Sequence, residues 1–145
     1  MHHIAIMKKS WKLIDKILSG SKTIESRWYS SKIAPWNKIK QGETVFFKNS
    51  GSPVSAKAEV SRVLQFSDLN SKKVKDILVK YADSLGIDNI PNFLTRFRDK
   101  KYCILVFLKN PEKITPFGID KTGFGLMSAW ISVEDINRIR RLGTI

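Results

Sequence analysis

The sequence predicts a mixed α+β fold with a curved sheet, and three observations carry that prediction. Val54, Ala56, Ala58 and Val60 alternate along one strand, and Val63 then breaks the phase, which marks either a bulge or bend near Ser61–Arg62 in a curved strand or the end of the strand. Val74, Ile77, Leu78, Tyr81 and Leu85 recur at helical spacing. Tyr102-Cys103-Ile104-Leu105-Val106-Phe107-Leu108 is an unbroken apolar run, which suits a central strand.

The remaining elements follow in order. His2–Lys8 reads as a strand through Ile4, Ile6 and Met7. Trp11, Ile14 and Leu18 then form an apolar stripe, so a helix is expected over Ser10–Ser19, stopped by Gly20, with Trp11 in the core. If Ile24–Tyr29 is extended, Ile24, Ser26 and Trp28 share one face, and Glu25, Arg27 and Tyr29 the other. Residues 30–42 are irregular. A strand over Thr44–Lys48 and a turn at Asn49–Pro53 lead into the Val54–Phe66 strand. A helix over Ser71–Leu85 ends at Gly86, and Pro91 opens a shorter one through Arg98. Lys101–Lys109 and Lys113–Ile119 read as two strands. Ala129, Ile131 and Val133 alternate toward the core, which turns Trp130 to the polar face with Ser128 and Ser132. A final helix is expected over 134–142, with Ser132 and Asp135 as its capping box.

Composition limits the function. The chain has 145 residues, with 26 Lys and Arg against 13 Asp and Glu, a formal charge of +13. That length suits one domain, 1–145. The 42% hydrophobic content argues against disorder, and no apolar run is long enough to span a membrane. Cys103 is the only cysteine, so a disulfide framework is excluded and a buried, inert thiol is expected. Two adjacent histidines near the start give no metal cluster and no Ser/His/Asp triad. No metal or other cofactor is expected, and with no segment resembling a signal peptide the cytoplasm is the expected compartment. Residues 1–50 hold ten basic and three acidic side chains, so +7 of the +13 lies in the first third, and an acidic partner is expected there.

The densest polar string is Ser21-Lys22-Thr23-Ile24-Glu25-Ser26-Arg27-Trp28-Tyr29. Lys22 and Arg27 suit phosphate, Arg27 with bidentate geometry. Glu25 suits a base amino group or proton transfer, Thr23 and Ser26 add hydroxyls, and Trp28 and Tyr29 offer stacking surfaces. A Glu25–Arg27 or Lys22–Glu25 ion pair with Trp28 in the core explains the same residues. Lys22 acts as a base or nucleophile only in a shielded pocket that depresses its pKa. Trp130 suits a cleft wall or structural packing. Lys121-Thr122-Gly123-Phe124-Gly125 allows close backbone approach to a ligand or a strained turn, but it lacks the P-loop pattern.

Gly20-Ser21-Lys22-Thr23-Ile24-Glu25-Ser26-Arg27 resembles the G-x-K-T-x-E-x-R signature of the ASCH family, the activating signal cointegrator homology domains of the PUA-like superfamily. Trp36–Phe47, Phe117–Gly125 and Ser128–Ile131 resemble its later segments, so the likeness spans nearly the whole chain. It implies an α+β, PUA-like small curved β-barrel with flanking helices, and a cleft for RNA or a nucleotide. By position, Lys22, Thr23, Glu25 and Arg27 are the motif residues at that cleft. Trp28, Lys121, Ser128 and Trp130 complete the expected binding set. Some members are small amidohydrolases that deacetylate N4-acetylcytidine with a motif lysine, a threonine and a glutamate, and others are reported as ribonucleases. Lys22 matches the lysine, while Glu25 stands where the amidohydrolases have threonine; in an enzyme, Lys22 and Glu25 would be the reacting pair. RNA or nucleotide binding is the leading expectation. A hydrolase and a protein-interaction module in transcription or translation are the alternatives.

Overall fold

The computed structural model describes residues 1–125 and 128–141. Six strands form one sheet: β1 (His2–Met7), β2 (Ile24–Tyr29), β3 (Thr44–Asn49), β4 (Val54–Phe66), β5 (Tyr102–Phe117) and β6 (Trp130–Val133). Their spatial order is β2-β5-β4-β3-β1-β6. Only β1 and β3 pair in parallel; the other neighbours are antiparallel. The sheet curls into a half-barrel flanked by α1 (Leu13–Ser19), α2 (Ser71–Leu85) and α3 (Ile90–Phe97), as the sequence predicts.

Curvature gives the two sheet faces different cores. On the concave side one cluster draws residues from five strands, including Ala5, Phe47, Ala58, Val106 and Trp130, and α1 closes it with Ile14 and Ile17. The convex side carries two clusters. Ile24, Trp28, Cys103 and Leu105 meet Val74, Ile77 and Leu78 of α2, while Ile4, Phe46, Phe117 and Ile131 pack at the other end. Cys103 is fully buried, as expected, and burial pushes its thiol pKa up. No helix among the described residues is long and apolar enough to cross a membrane.

The phase slip in β4 is a real irregularity: pairing with β5 shifts between Val60 and Arg62. Asn70 caps α2 by accepting from the Lys73 amide at 2.9 Å, and Gly86 ends it at φ 72°.

Four local expectations are corrected. The first helix does not run from Ser10. Lys9–Trp11 forms a 3-10 turn, Lys12 is left-handed at φ 54°, and α1 starts only at Leu13. This break takes Trp11 out of the apolar stripe and leaves it half-buried against α3, edge-on to Phe93 at 6.4 Å. Lys101–Lys109 and Lys113–Ile119 are one long strand through Phe117, because a left-handed Asn110 (φ 51°) and shifts in the β4 register carry the pairing past Pro111. No helix covers 134–141: after a 3-10 turn at Ile136–Arg138, the backbone bonds to residues 118–120, as in Arg141 N to Gly118 O at 2.9 Å. Residue 142 lies outside the described residues. Finally, Trp130 points into the concave core and Ile131 into a convex cluster, while Ala129 is exposed. Both faces of β6 are covered, so alternation alone did not reveal which side was buried.

Candidate nucleotide-binding cleft

Strand β2 lies at the sheet edge and pairs only with β5, placing Glu25 opposite Val106 and Arg27 opposite Ile104. Period-two geometry then divides its side chains as expected. Ile24 and Trp28 join the convex core, while Tyr29 packs against the concave one. Glu25 and Arg27 lie on the same side as Tyr29, beside the seam left open by the half-barrel.

The loop before β2 is tied at several points. The Lys22 amide donates to Lys16 O at 3.0 Å and the Thr23 amide to Ser84 O at 2.8 Å, joining the ends of α1 and α2. Gly86 completes the fit: a Cβ there would stand 3.3 Å from Lys22 Cβ, tighter than most van der Waals contacts. Lys22 is therefore driven inward and is only 4% exposed. Its Nζ donates to Ile24 O at 2.7 Å and Leu85 O at 2.9 Å, and stands 3.6 Å from Glu25 Oε1. Burial lowers the Lys22 pKa, and the Glu25 carboxylate opposes that shift.

Glu25, also 4% exposed, is held from both sides. Oε1 accepts from the Ser26 amide at 3.0 Å, and Oε2 faces Arg27 Nη2 at 3.4 Å. Arg27 reaches across the seam. Nη1 donates to Ala129 O at 3.1 Å and Nη2 to Ile6 O at 3.3 Å, while the guanidinium lies 5.2 Å from the Trp130 ring centre. Lys22, Glu25 and Arg27 thus form one chain of charges.

A two-lobed cleft opens over this chain. One lobe, of about 320 Å³, is lined by Lys16, Lys22, Asp88 and Asn92; the other, of about 310 Å³, by Lys8, Arg27 and Tyr29. Trp11, Leu13, Glu25, Ser26, Arg96 and Phe97 border both. Each lobe has the size of a small-molecule site, with apolar walls and a few convergent polar groups.

The other expected site residues are placed differently. Thr23 is exposed and lines neither lobe. Trp28 borders the second lobe but is buried, stacked on Phe97 at 5.0 Å and 9°, and its Nε1 donates to Ser26 Oγ at 2.9 Å. Trp130 lies beneath Arg27 and donates to His3 Nδ1 at 3.2 Å, so it supports the cleft from within the core. Lys121 donates to Ser128 O at 3.3 Å, one residue before the carbonyl that anchors Arg27; neither residue lines a lobe. The apolar spacing put Trp11 in the core, and Phe97 and Arg96 were not among the expected site residues. No local signal placed them at a cleft, because it takes the break at Lys12 and the docking of α3 to bring them to β2.

A curled half-barrel sheet with helices beside a cleft at its edge strand defines the class as α+β. Within that class the chain has the ASCH fold. The ASCH protein of Zymomonas mobilis matches at a TM-score of 0.65 and 13% identity, over 91% of this chain and 87% of that one. Two single-residue variants of that protein match at 0.69 and 13% identity, over 94% of this chain and 93% and 91% of theirs. No family profile matches the sequence. No curated protein matches it either.

Proposed function

We propose that the cleft beside β2 binds RNA or a nucleotide. The observation that carries this reading is the arrangement around Glu25 and Ser26: a polar floor, aromatic walls at Trp11 and Phe97, and cations at the rim. The aromatics suit a planar base, the carboxylate and hydroxyl suit its polar edge, and the cations suit phosphate. Lys22 and Arg27 act mainly by fixing Glu25, since their donors already engage main-chain carbonyls. Calorimetric titration with short single-stranded RNA and the four mononucleotides tests the reading. Binding that weakens as salt rises and as Trp11 is replaced by alanine supports it; no binding by any of these ligands sinks it.

One observation favours a second reading, hydrolysis of RNA or a modified nucleoside. Burial disfavours the charged form of Lys22, which lies 3.6 Å from a carboxylate able to take or return a proton. Both carbonyl partners instead favour the ammonium, so binding remains the leading reading. Incubation with RNA and with N4-acetylcytidine, followed by mass analysis of products, separates the two. Product formation that survives Lys22→Met rules out Lys22 as the reacting group.

A further inference from the structure

We propose that the ligand of this cleft is a phosphorylated nucleoside, whose phosphate lies between Lys8 and Arg96 beside Trp11 while its base enters the lobe that carries Asp88 and Asn92. This rests on the nucleotide reading above and adds a direction to it.

Most cations of the cleft are already engaged. Five line the cleft: Lys8, Lys16, Lys22, Arg27 and Arg96. Lys16 donates to Gly86 O at 3.2 Å, and Lys22 and Arg27 are tied to carbonyls and to Glu25. Lys8 and Arg96 have no carboxylate or hydrogen-bond acceptor among the described residues. Both are instead gathered on one ring. The Arg96 guanidinium carbon lies 4.0 Å from the Trp11 ring centre and the Lys8 ammonium 5.1 Å from it. Cation–π contact orients such groups without consuming their N–H donors. The pair therefore presents directed, unspent donors on an aromatic scaffold, as a phosphate oxygen requires.

Charge along the cleft sets the orientation. The Lys8 lobe holds three cations against the single carboxylate of Glu25. The opposite lobe also holds three, Lys16, Lys22 and Arg96, but Lys16 and Lys22 are bonded to carbonyls, and it adds the Asp88 carboxylate and Asn92. A phosphate would meet an extra negative charge there, whereas base N–H groups would find acceptors. Since Trp11 and Arg96 border both lobes, one ligand can span them.

Calorimetry with the four nucleosides, their 5′-monophosphates and dinucleoside monophosphates tests this, the last separating a terminal phosphate from an internal phosphodiester. Phosphate-bearing ligands should bind at least about ten-fold more tightly than the matching nucleosides. Arg96→Ala and Lys8→Ala should each bring that ratio toward one, and Lys72→Ala on α2 should leave it unchanged. Equal affinity for nucleosides and nucleotides overturns the phosphate position while leaving the cleft reading intact. Failure of every ligand to bind removes both. Arg96 and Lys8 are exposed, and thermal melts of the variants confirm that lost affinity does not reflect unfolding.

Discussion

The Lys22 ammonium stands 3.6 Å from the Glu25 carboxylate, and each side chain is no more than 5% exposed. Two charges are thus held out of water, and what makes the pair tolerable is that each has further partners. Lys22 is bonded to two carbonyls, and Glu25 to the Ser26 amide with Arg27 beside it. Breaking one partner of such a pair costs more than removing both. Lys22→Met should lower stability by about 3 kcal/mol in urea unfolding, and adding Glu25→Gln should restore part of the loss. A Lys22→Met protein as stable as wild type would show that the pair is not structural.

Arg27 joins the edge strand to the backbone on the far side of the seam. Ala129 O accepts from both Arg27 and the Ile6 amide, so losing the guanidinium loosens the same joint. Arg27→Ala should cost about 2 kcal/mol and speed hydrogen exchange at the Ile6 amide. Arg27→Lys should recover little of this, since one ammonium does not reproduce a planar fork spanning two carbonyls. Unchanged exchange at Ile6 would contradict this clasp.

Trp11 and Trp28 should separate binding from stability. Trp28 is buried on Phe97, so Trp28→Ala should cost about 3–5 kcal/mol, whereas Trp28→Phe should retain most ligand affinity. Trp11 is half-buried at the cleft, so Trp11→Ala should cut affinity with a smaller change in melting temperature. The reverse pattern would place the stacking surface at Trp28.

His3 should make stability depend on pH. It is fully buried: Nδ1 accepts from Trp130, Ser132 Oγ stands 2.8 Å from the same atom, and Nε2 donates to Glu43 at 2.8 Å. Burial lowers its pKa below 6.5, and the Glu43 carboxylate pulls the other way without reversing the shift. Between 6.5 and the lower folded value the unfolded chain binds an extra proton, so this contribution is complete above 6.5 and is lost as pH falls through that window. Urea midpoints at about pH 7.5 and about pH 5.5 should differ less in His3→Gln than in wild type. Equal differences in the two proteins would remove His3 as the source.

Local pattern was enough for some features. Alternation placed Glu25 and Arg27 on one face of β2, the phase slip after Val60 marked the bulge, and the apolar run at Tyr102–Leu108 marked an interior strand. Each follows from nearest-neighbour geometry: the period of two, the register of a ladder, and the burial that a continuous apolar run requires. The motif at Gly20–Arg27 likewise pointed to the segment where the charges meet.

Tertiary packing settled what local pattern left open. Trp11 left its expected place in the core because a left-handed Lys12 turned it toward α3, and coverage of both faces of β6 decided for Trp130 between cleft wall and structural packing. Whether Lys22 would be a surface cation or a buried one depended on the approach of Gly86, 64 positions away in the chain. The sequence by itself determined which residue types were available and which face of a strand each would take. Only the fold decided which faces were closed to water and which donors remained unspent, because both depend on elements that meet through space.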